Sequence, residues 1–589
     1  MPPSELGAAE TRWTAPASSK STFVFAVLVF VLALTTRIAL LNYPPIYDEL
    51  YQMLPAQSWR VQGDFAVLDG VYDRAMIFTQ LIALAFDLSG DDGVAAARFW
   101  PSTVPGALLV ALVFAWTRAS VGIFAGWVVA VFMLLWPNGI ELSQYARFYA
   151  LHGLAFVAGA LALYRALEKP ISLAASIFWG LIAAAFFLFS AKLQLSTVVG
   201  LMGLSLWILI AHLPNWLRVR PWLWWFFAGG VLLVAGVLAS GALTETLSLL
   251  WFTFRWEPWP AVGDTFFYHR ILRDNYPTFW PLLPVAVLVA LAVRPRPAAF
   301  CAALFATGFT IHSFGGLKGL RYLYWVMPFF FVLWAITLQA LVPLLAATLS
   351  RFSWQALSPY TPRLLRRRIA VTALMLAATF LFAANAAFER SINLTIGQPA
   401  DSLLGKPRYA WPDAPALLHP WLKDGALIIT SEEMLAIEYL GDFDLAYNKP
   451  RFSEFAYSMG PNTPPFTIDR RTGRPLFGDY NDLERLMRCA PVGLVVANAS
   501  WLIGSDATRL TVAAAETGAT VQAETKGGTA LLAWRRSRTT QLDGCETLIP
   551  PPDDRAATRI LSGARRPAMV SIPDATIENG AVDAASPKS

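Results

Sequence analysis

Apolar residues along this chain form long unbroken runs over the first two thirds and short, widely spaced runs over the last third. The long runs fall at 22–41, 101–117, 121–137, 150–167, 172–190, 195–212, 222–243, 279–293, 297–311, 322–344 and 369–388. Each approaches the length a helix needs to cross the hydrocarbon of a bilayer, so they predict about eleven transmembrane helices within 22–388. Pro44 and Pro45 follow the first run and end it, because proline lacks the N–H that continues a helix. A further run at 75–88 is short and ends among Asp87, Asp91 and Asp92.

From about residue 389 the pattern changes. Ala426–Thr430, Asp444–Tyr447, Val492–Ala497, Ala519–Ala523 and Ala530–Trp534 read as short strands, and 431–440, 482–490 and 507–517 as helices. The alternation predicts a soluble C-terminal α/β domain over 389–549. It has neither a Gly-x-Gly-x-x-Gly fingerprint nor a nucleophile elbow, so no chemistry is assigned to it. The tail over 550–589, rich in Pro, Ala and Asp, reads as disordered.

Composition agrees with a polytopic α-helical membrane protein: 56% of residues are hydrophobic, 15% are charged, and mean hydropathy is +0.48. The net charge of +6 does not point to nucleic acid, because the basic residues lie in short loops between apolar runs. If the runs alternate, the loops sharing a side with segment 1–21 hold Arg12, Lys20, Arg118, Arg165, Lys169, Arg218, Arg220, Arg294, Arg296, Arg351, Arg363, Arg366, Arg367 and Arg368. Only Glu5, Glu10 and Glu168 oppose them. The positive-inside rule makes that face cytoplasmic. Counting 75–88 as a span would invert everything after it, so that run is expected to lie along the interface, inside a first periplasmic loop at 42–100. No small-residue cleavage pattern follows the first run, which reads as a retained helix.

The outward face then collects the polar residues of interest. Asp48 and Glu49 open a new element directly after the first span, and acids beside an apolar bundle commonly mark a substrate or ion site. The segment Glu141–Ala150 places Arg147 outside the third span, and His312–Tyr322 places Lys318 and Arg321 outside the ninth. Arg147, Lys318, Arg321 and Arg74 form a cationic set suited to a phosphate. Tyr51, Tyr149, His312, Tyr322 and Glu141 are further site candidates, whereas Lys192 reads as a helix-end anchor whose stem lies along the bilayer. No His or Cys cluster has metal-ligand spacing.

An outward Asp-Glu pair, an amphipathic first loop, the Ser-Gln-Tyr-Ala-Arg-Phe-Tyr-Ala segment and a late Arg-Tyr-Leu segment followed by Pro328 occur in that order. The arrangement resembles the GT-C superfamily of integral-membrane glycosyltransferases over about residues 20–390. Within it, glycosyltransferase family 39 and its relatives, the protein O-mannosyltransferases and lipid A aminoarabinose transferases, are most similar. Many relatives carry an acid where this chain has Tyr145, and Glu141 is the nearby carboxylate. The resemblance implies transfer of a sugar from a polyprenyl-phosphate donor to a hydroxyl acceptor (lipid, glycan or protein) on the periplasmic face of a bacterial inner membrane. Asp48 would act as general base, with Glu49 orienting the acceptor or tuning the base. The cations would stabilise the departing phosphate. No cofactor is implied, a divalent cation being possible but not indicated. The alternative class is a transporter or flippase of a lipid-linked sugar, which would place ionisable residues at mid-membrane and show internal repeats. Cys489 and Cys545, both in the outward domain, are expected to pair, and Cys301 to be a buried thiol.

Overall fold

The computed structural model describes residues 19–219 except 73 and 170, 264–351 except 317, 383–398, 411–537 except 504 and 527, and 548–562, with scattered positions in 225–241 and 369–382. The first apolar run forms α1 (Ser19–Thr35), which stops well before the proline pair. Side chains supply the reason: the Arg37 N–H turns to the Leu34 carbonyl, and the Thr36 hydroxyl and Arg37 guanidinium donate instead to the Ala33 carbonyl that a continuing helix would have used. Turns then lead to α2 (Tyr47–Gln62), whose N-terminus is fixed by Glu49 reaching back to accept from the Ile46 N–H at 2.9 Å.

Next come α3 (Met76–Ser89), the run expected along the interface, and α4 (Val94–Ser120), interrupted by a π-helical turn at Phe99–Thr103 that accommodates Pro101. A bent pair follows, α5 (Ile123–Leu134) and α6 (Pro137–Ser143), which meet at 61° where Pro137 breaks the helix. The bundle continues through α7 (Tyr149–Glu168), α8 (Leu173–Leu193), and a second bent pair, α9 (Thr197–Ala211) and α10 (Leu213–Val219). It closes with α11 (Phe267–Asn275), α12 (Leu283–Val293), α13 (Pro295–Phe314), α14 (Met327–Arg351) and α15 (Ala386–Thr395).

Among the described residues four helices are long and apolar enough to cross a membrane, or six if each bent pair is one span. The expected spans at 222–243 and 369–388 fall largely outside the described residues. Only 11% of the apolar stretch of α8 is buried inside the protein, and Leu173, Leu181 and Leu188 are at least 66% exposed. Such a surface needs hydrocarbon around it. Inside the bundle, Gly153 and Gly200 lie so close to the rings of Tyr324 and Phe156 that a Cβ at either position would overlap them. Small residues at crossings let helix backbones approach closely.

The C-terminal region is an α/β unit. In chain order it comprises α16 (Ala414–Leu422), β1 (Leu427–Thr430), α17 (Glu433–Leu440), β2 (Leu445–Tyr447), α18 (Lys449–Met459), β3 (Thr467–Ile468) and β4 (Pro475–Phe477). Then follow α19 (Tyr480–Cys489), β5 (Val492–Asn498), α20 (Ser505–Glu516), β6 (Thr520–Lys526), β7 (Thr529–Arg535) and α21 (Ala556–Leu561). The sheet order is β3-β4-β2-β1-β5-β7-β6. β1 runs parallel to β2 and β5, and β7 pairs antiparallel with β5 and β6. The five strands expected from sequence are all present, while β3, β4, α16 and α18 are additional. The residues after Pro550, read as disordered, form the short helix α21, whose Ala556 N–H donates to buried Asp444. Those beyond 562 lie outside the described residues. Cys489 is disulfide-bonded and Cys301 is a free buried thiol; the expected partner, Cys545, lies outside the described residues.

A turn of this unit docks on the first loop. Between β3 and β4, the Arg470 and Thr472 carbonyls accept from the Val71 and Asp69 N–H groups at 2.8 and 3.1 Å. Gly70 has no room for a Cβ against the Arg471 carbonyl, and Gly473 adopts φ +71 beside Asp69. Both glycines are required by this close approach.

Candidate functional site

The start of α2, the α6–α7 turn, the end of α8, the turn at Leu320–Leu323 and the β3–β4 turn surround one cavity of about 510 Å³. Four of these five elements are loops or helix ends of the bundle that alternation assigns to one face. Asp48 is on the cavity wall, and its Oδ2 accepts from Arg321 Nη1 at 3.0 Å. Arg147 also lines the cavity and donates through Nη1 to the Asp48 backbone carbonyl at 2.9 Å. Aromatic rings frame both guanidinium groups: Arg147 lies over Phe148 and Tyr149, and Arg321 over Tyr149 and Tyr322. These contacts hold the cations in place through ring quadrupoles while leaving N–H groups to donate. The Asp48 and Arg321 side chains remain 20% and 24% exposed, so the pair is reachable from the cavity.

Arg74, Tyr51, Tyr149 and Tyr322 line the same cavity. Arg74 follows the first-loop docking contact and precedes Ala75, which has φ 49, a conformation uncommon outside glycine. Lys192, read from sequence as an anchor, lies on the cavity wall at the end of α8.

Other candidates are placed elsewhere. Glu49 is fully buried and points away from the cavity. Its Oε1 accepts from Arg98 Nε at 2.6 Å and Ala146 N–H at 2.8 Å, and its Oε2 from Arg98 Nη2 at 2.6 Å as well as Ile46 N–H. Arg98 in turn donates to the carbonyls of Leu40, Leu41, Tyr43 and Pro44. The pair thus ties the loop before Asp48 to the residue before Arg147. This is a positioning role in place of the expected acceptor contact. Lys318 is also off the cavity, donating to the carbonyls of His312, Ser313 and Gly315 at 3.2, 2.5 and 2.5 Å. It satisfies the last carbonyls of α13 and is thereby spent as a phosphate ligand. Glu141 is buried beneath the site, accepting from the Tyr145 hydroxyl at 2.8 Å. His312 stacks on Tyr322 behind the wall.

Arg98, Lys192 and Arg471 are the residues that sequence reasoning missed. Arg471, on the β3–β4 turn, has its guanidinium over the Tyr51 ring at 4.7 Å and lines the cavity. Among the described residues the wall carries five basic side chains, Arg74, Arg147, Lys192, Arg321 and Arg471, and one carboxylate, Asp48. Such a cavity favours an oxyanion ligand. Among the described residues no group of three or more His, Cys, Asp or Glu is arranged to hold a metal.

No family model and no curated protein matches the chain. Solved structures do. The crystal structure of ArnT from Cupriavidus metallidurans bound to undecaprenyl phosphate is similar, with a TM-score of 0.54 at 13% identity, over 89% of this chain and 100% of that one. The archaeal oligosaccharyltransferase AglB from Archaeoglobus fulgidus, in complex with an inhibitory peptide and a dolichol-phosphate, gives a TM-score of 0.52 at 12% identity, over 89% of this chain and 75% of that one. A second structure of the Archaeoglobus fulgidus oligosaccharyltransferase, tethered to an acceptor peptide, gives 0.53 at 11% identity, over 92% of this chain and 78% of that one. The chain therefore shares its fold with ArnT and with the archaeal oligosaccharyltransferase.

Proposed function

We propose that this GT-C-fold protein is a membrane glycosyltransferase that moves a sugar from a polyprenyl-phosphate donor to a hydroxyl acceptor, on the periplasmic face of a bacterial inner membrane. The observation that carries the reading is the Asp48–Arg321 pair on a cavity rich in fixed cations. The lipid phosphates named in the neighbouring structures support the donor class.

In this reading the donor phosphate sits against Arg321 and Arg147, whose guanidinium groups cannot lose their charge at physiological pH. Negative charge grows on that phosphate as the glycosidic bond breaks, and donors fixed in advance stabilise it without reorganisation. The acceptor hydroxyl is a poor nucleophile, and Asp48 takes its proton as oxygen attacks the anomeric carbon. The proton passes to the carboxylate and the electron pair of the broken C–O bond leaves with the lipid phosphate. Before donor binds, Asp48 is neutralised by Arg321 at 3.0 Å. A phosphate that engages Arg321 loosens that contact and leaves the carboxylate more basic, which couples donor binding to base activation.

The test is incubation of purified protein with labelled undecaprenyl-phosphate sugars and membrane lipids. Label transfer with release of free undecaprenyl phosphate supports the reading. Label that crosses liposomes still attached to its lipid would instead establish transport.

A further inference from the structure

Among the described residues, Arg471 is the one cavity-wall residue that the C-terminal α/β unit contributes. Its placement is rigid. The turn that carries it is held from the first loop by the Asp69 and Val71 N–H groups, and by the ion pair of Arg474 Nη1 with Asp69 Oδ2 at 3.1 Å. From behind, Asp469 Oδ2 accepts from Arg451 Nη1 at 2.8 Å and from the Thr472 hydroxyl at 3.0 Å. Arg451 also pairs with fully buried Glu433, which accepts from Tyr47, the first residue of α2. The neighbours of Arg471 in the turn are thus consumed by docking. The Arg471 guanidinium is different: among the described residues it makes no ion pair, lies over the Tyr51 ring and feels the Glu433 carboxylate only at longer range. Tyr51 lies one helical turn after Asp48, so Arg471 meets the cavity about one turn along α2 from the carboxylate.

We propose that Arg471 is a substrate-binding residue supplied in cis by the C-terminal unit, and that it holds a phosphate or carboxylate oxyanion of a substrate at the carboxylate-bearing end of α2. The inference rests on the proposed transferase reading. The basis is electrostatic: Arg147 and Arg321 already provide two guanidinium groups beside Asp48, and a further cation on the wall, whose nearby carboxylate Glu433 is already paired with Arg451, is stabilised when an anion meets it. The oxyanion belongs either to the donor phosphate or to an acidic group on the acceptor. A purely structural Arg471, stapling the two units through Tyr51, predicts a different response to substitution.

Arg471→Gln and Arg471→Lys in the full-length protein separate these cases, with Arg474→Gln as the docking control. Wild-type protein is first required to bind undecaprenyl phosphate; if it does not, the transferase reading fails independently of Arg471. The expected result for Arg471→Gln is an unchanged thermal midpoint and about a tenfold to hundredfold rise in one substrate constant, with part of it restored in Arg471→Lys. Weaker binding of undecaprenyl phosphate assigns the oxyanion to the donor. Unchanged donor binding with a raised KM for acceptor, and weaker inhibition by inorganic phosphate competing with acceptor, assigns it to the acceptor. Unchanged constants for both substrates would overturn the proposal. So would activity lost only in step with the thermal midpoint, in parallel with Arg474→Gln.

Discussion

The Glu49–Arg98 pair offers a sharp perturbation because both side chains are completely buried, at 0% exposure each. Glu49→Gln preserves the shape of the side chain and removes its charge. Four donors then face the position, from Ile46, Ala146 and twice from Arg98, and an amide oxygen can serve only part of them while its NH₂ opposes the rest. The larger effect is the Arg98 cation left without a counter-charge. Breaking one partner of a buried pair costs about 3–5 kcal/mol, a large share of the ~5–15 kcal/mol that stabilises a typical fold. The loop at 40–46 and the start of α2 would loosen together, so Asp48 loses its fixed position and turnover falls with stability. Replacing both partners, as Glu49→Gln with Arg98→Met, removes the stranded charge. Because Arg98→Met also frees the carbonyls of Leu40, Leu41, Tyr43 and Pro44, the double variant stays below wild type, but its loss of thermal midpoint in detergent is expected to be smaller than the sum of the two single losses. A Glu49→Gln protein of wild-type stability but abolished turnover would refute this reasoning and return Glu49 to a direct chemical role.

Other consequences follow from the same geometry. Arg321→Ala and Arg147→Ala should each weaken undecaprenyl phosphate binding about tenfold or more. Arg118→Ala, which loses a contact to Ser21 and Phe25 far from the cavity, should leave binding intact, and equal effects in a binding titration would contradict the site. Lys318→Met should lower the thermal midpoint through the freed carbonyls of His312, Ser313 and Gly315 without altering donor affinity, and a selective affinity loss would count against its capping role. In the C-terminal unit, burial pushes Asp444 up to about 6, opposed by the N–H groups of Ile428 and Ala556. A carboxyl raised in the folded state is better tolerated protonated, so its contribution favours folding at low pH and is lost as pH rises from about 4 through about 6. The thermal midpoint of wild type relative to Asp444→Asn should therefore improve between pH 7.5 and pH 5, and an unchanged difference would oppose the assignment.

Much of this arrangement was legible in the sequence because it follows from solvent. Long apolar runs and the bias of Arg and Lys between them place Asp48, Arg147 and Arg321 on one face, and the three do meet at one cavity. The five β-strands of the C-terminal unit with clear apolar character were equally visible. What escaped depends on contacts between distant segments. Glu49 is adjacent to Asp48, yet helix geometry turns neighbouring side chains about 100° apart, which sends one to the cavity and the other to Arg98. Lys318 looked like Arg321 in composition, but three local carbonyls claim its ammonium. Arg471 sits in Asp-Arg-Arg-Thr-Gly-Arg, a turn sequence whose only signal was its Asp and Gly; nothing in it tells which arginine faces the cavity.

If Asp48 is the base of a polyprenyl-phosphate glycosyltransferase, as proposed, single-turnover transfer by Asp48→Asn is the decisive measurement. With undecaprenyl-phosphate sugar bound at saturation to both proteins, the variant is expected to retain donor binding while its rate of label transfer falls by about two orders of magnitude or more. Transfer at a near-normal rate from the Asn variant would contradict it.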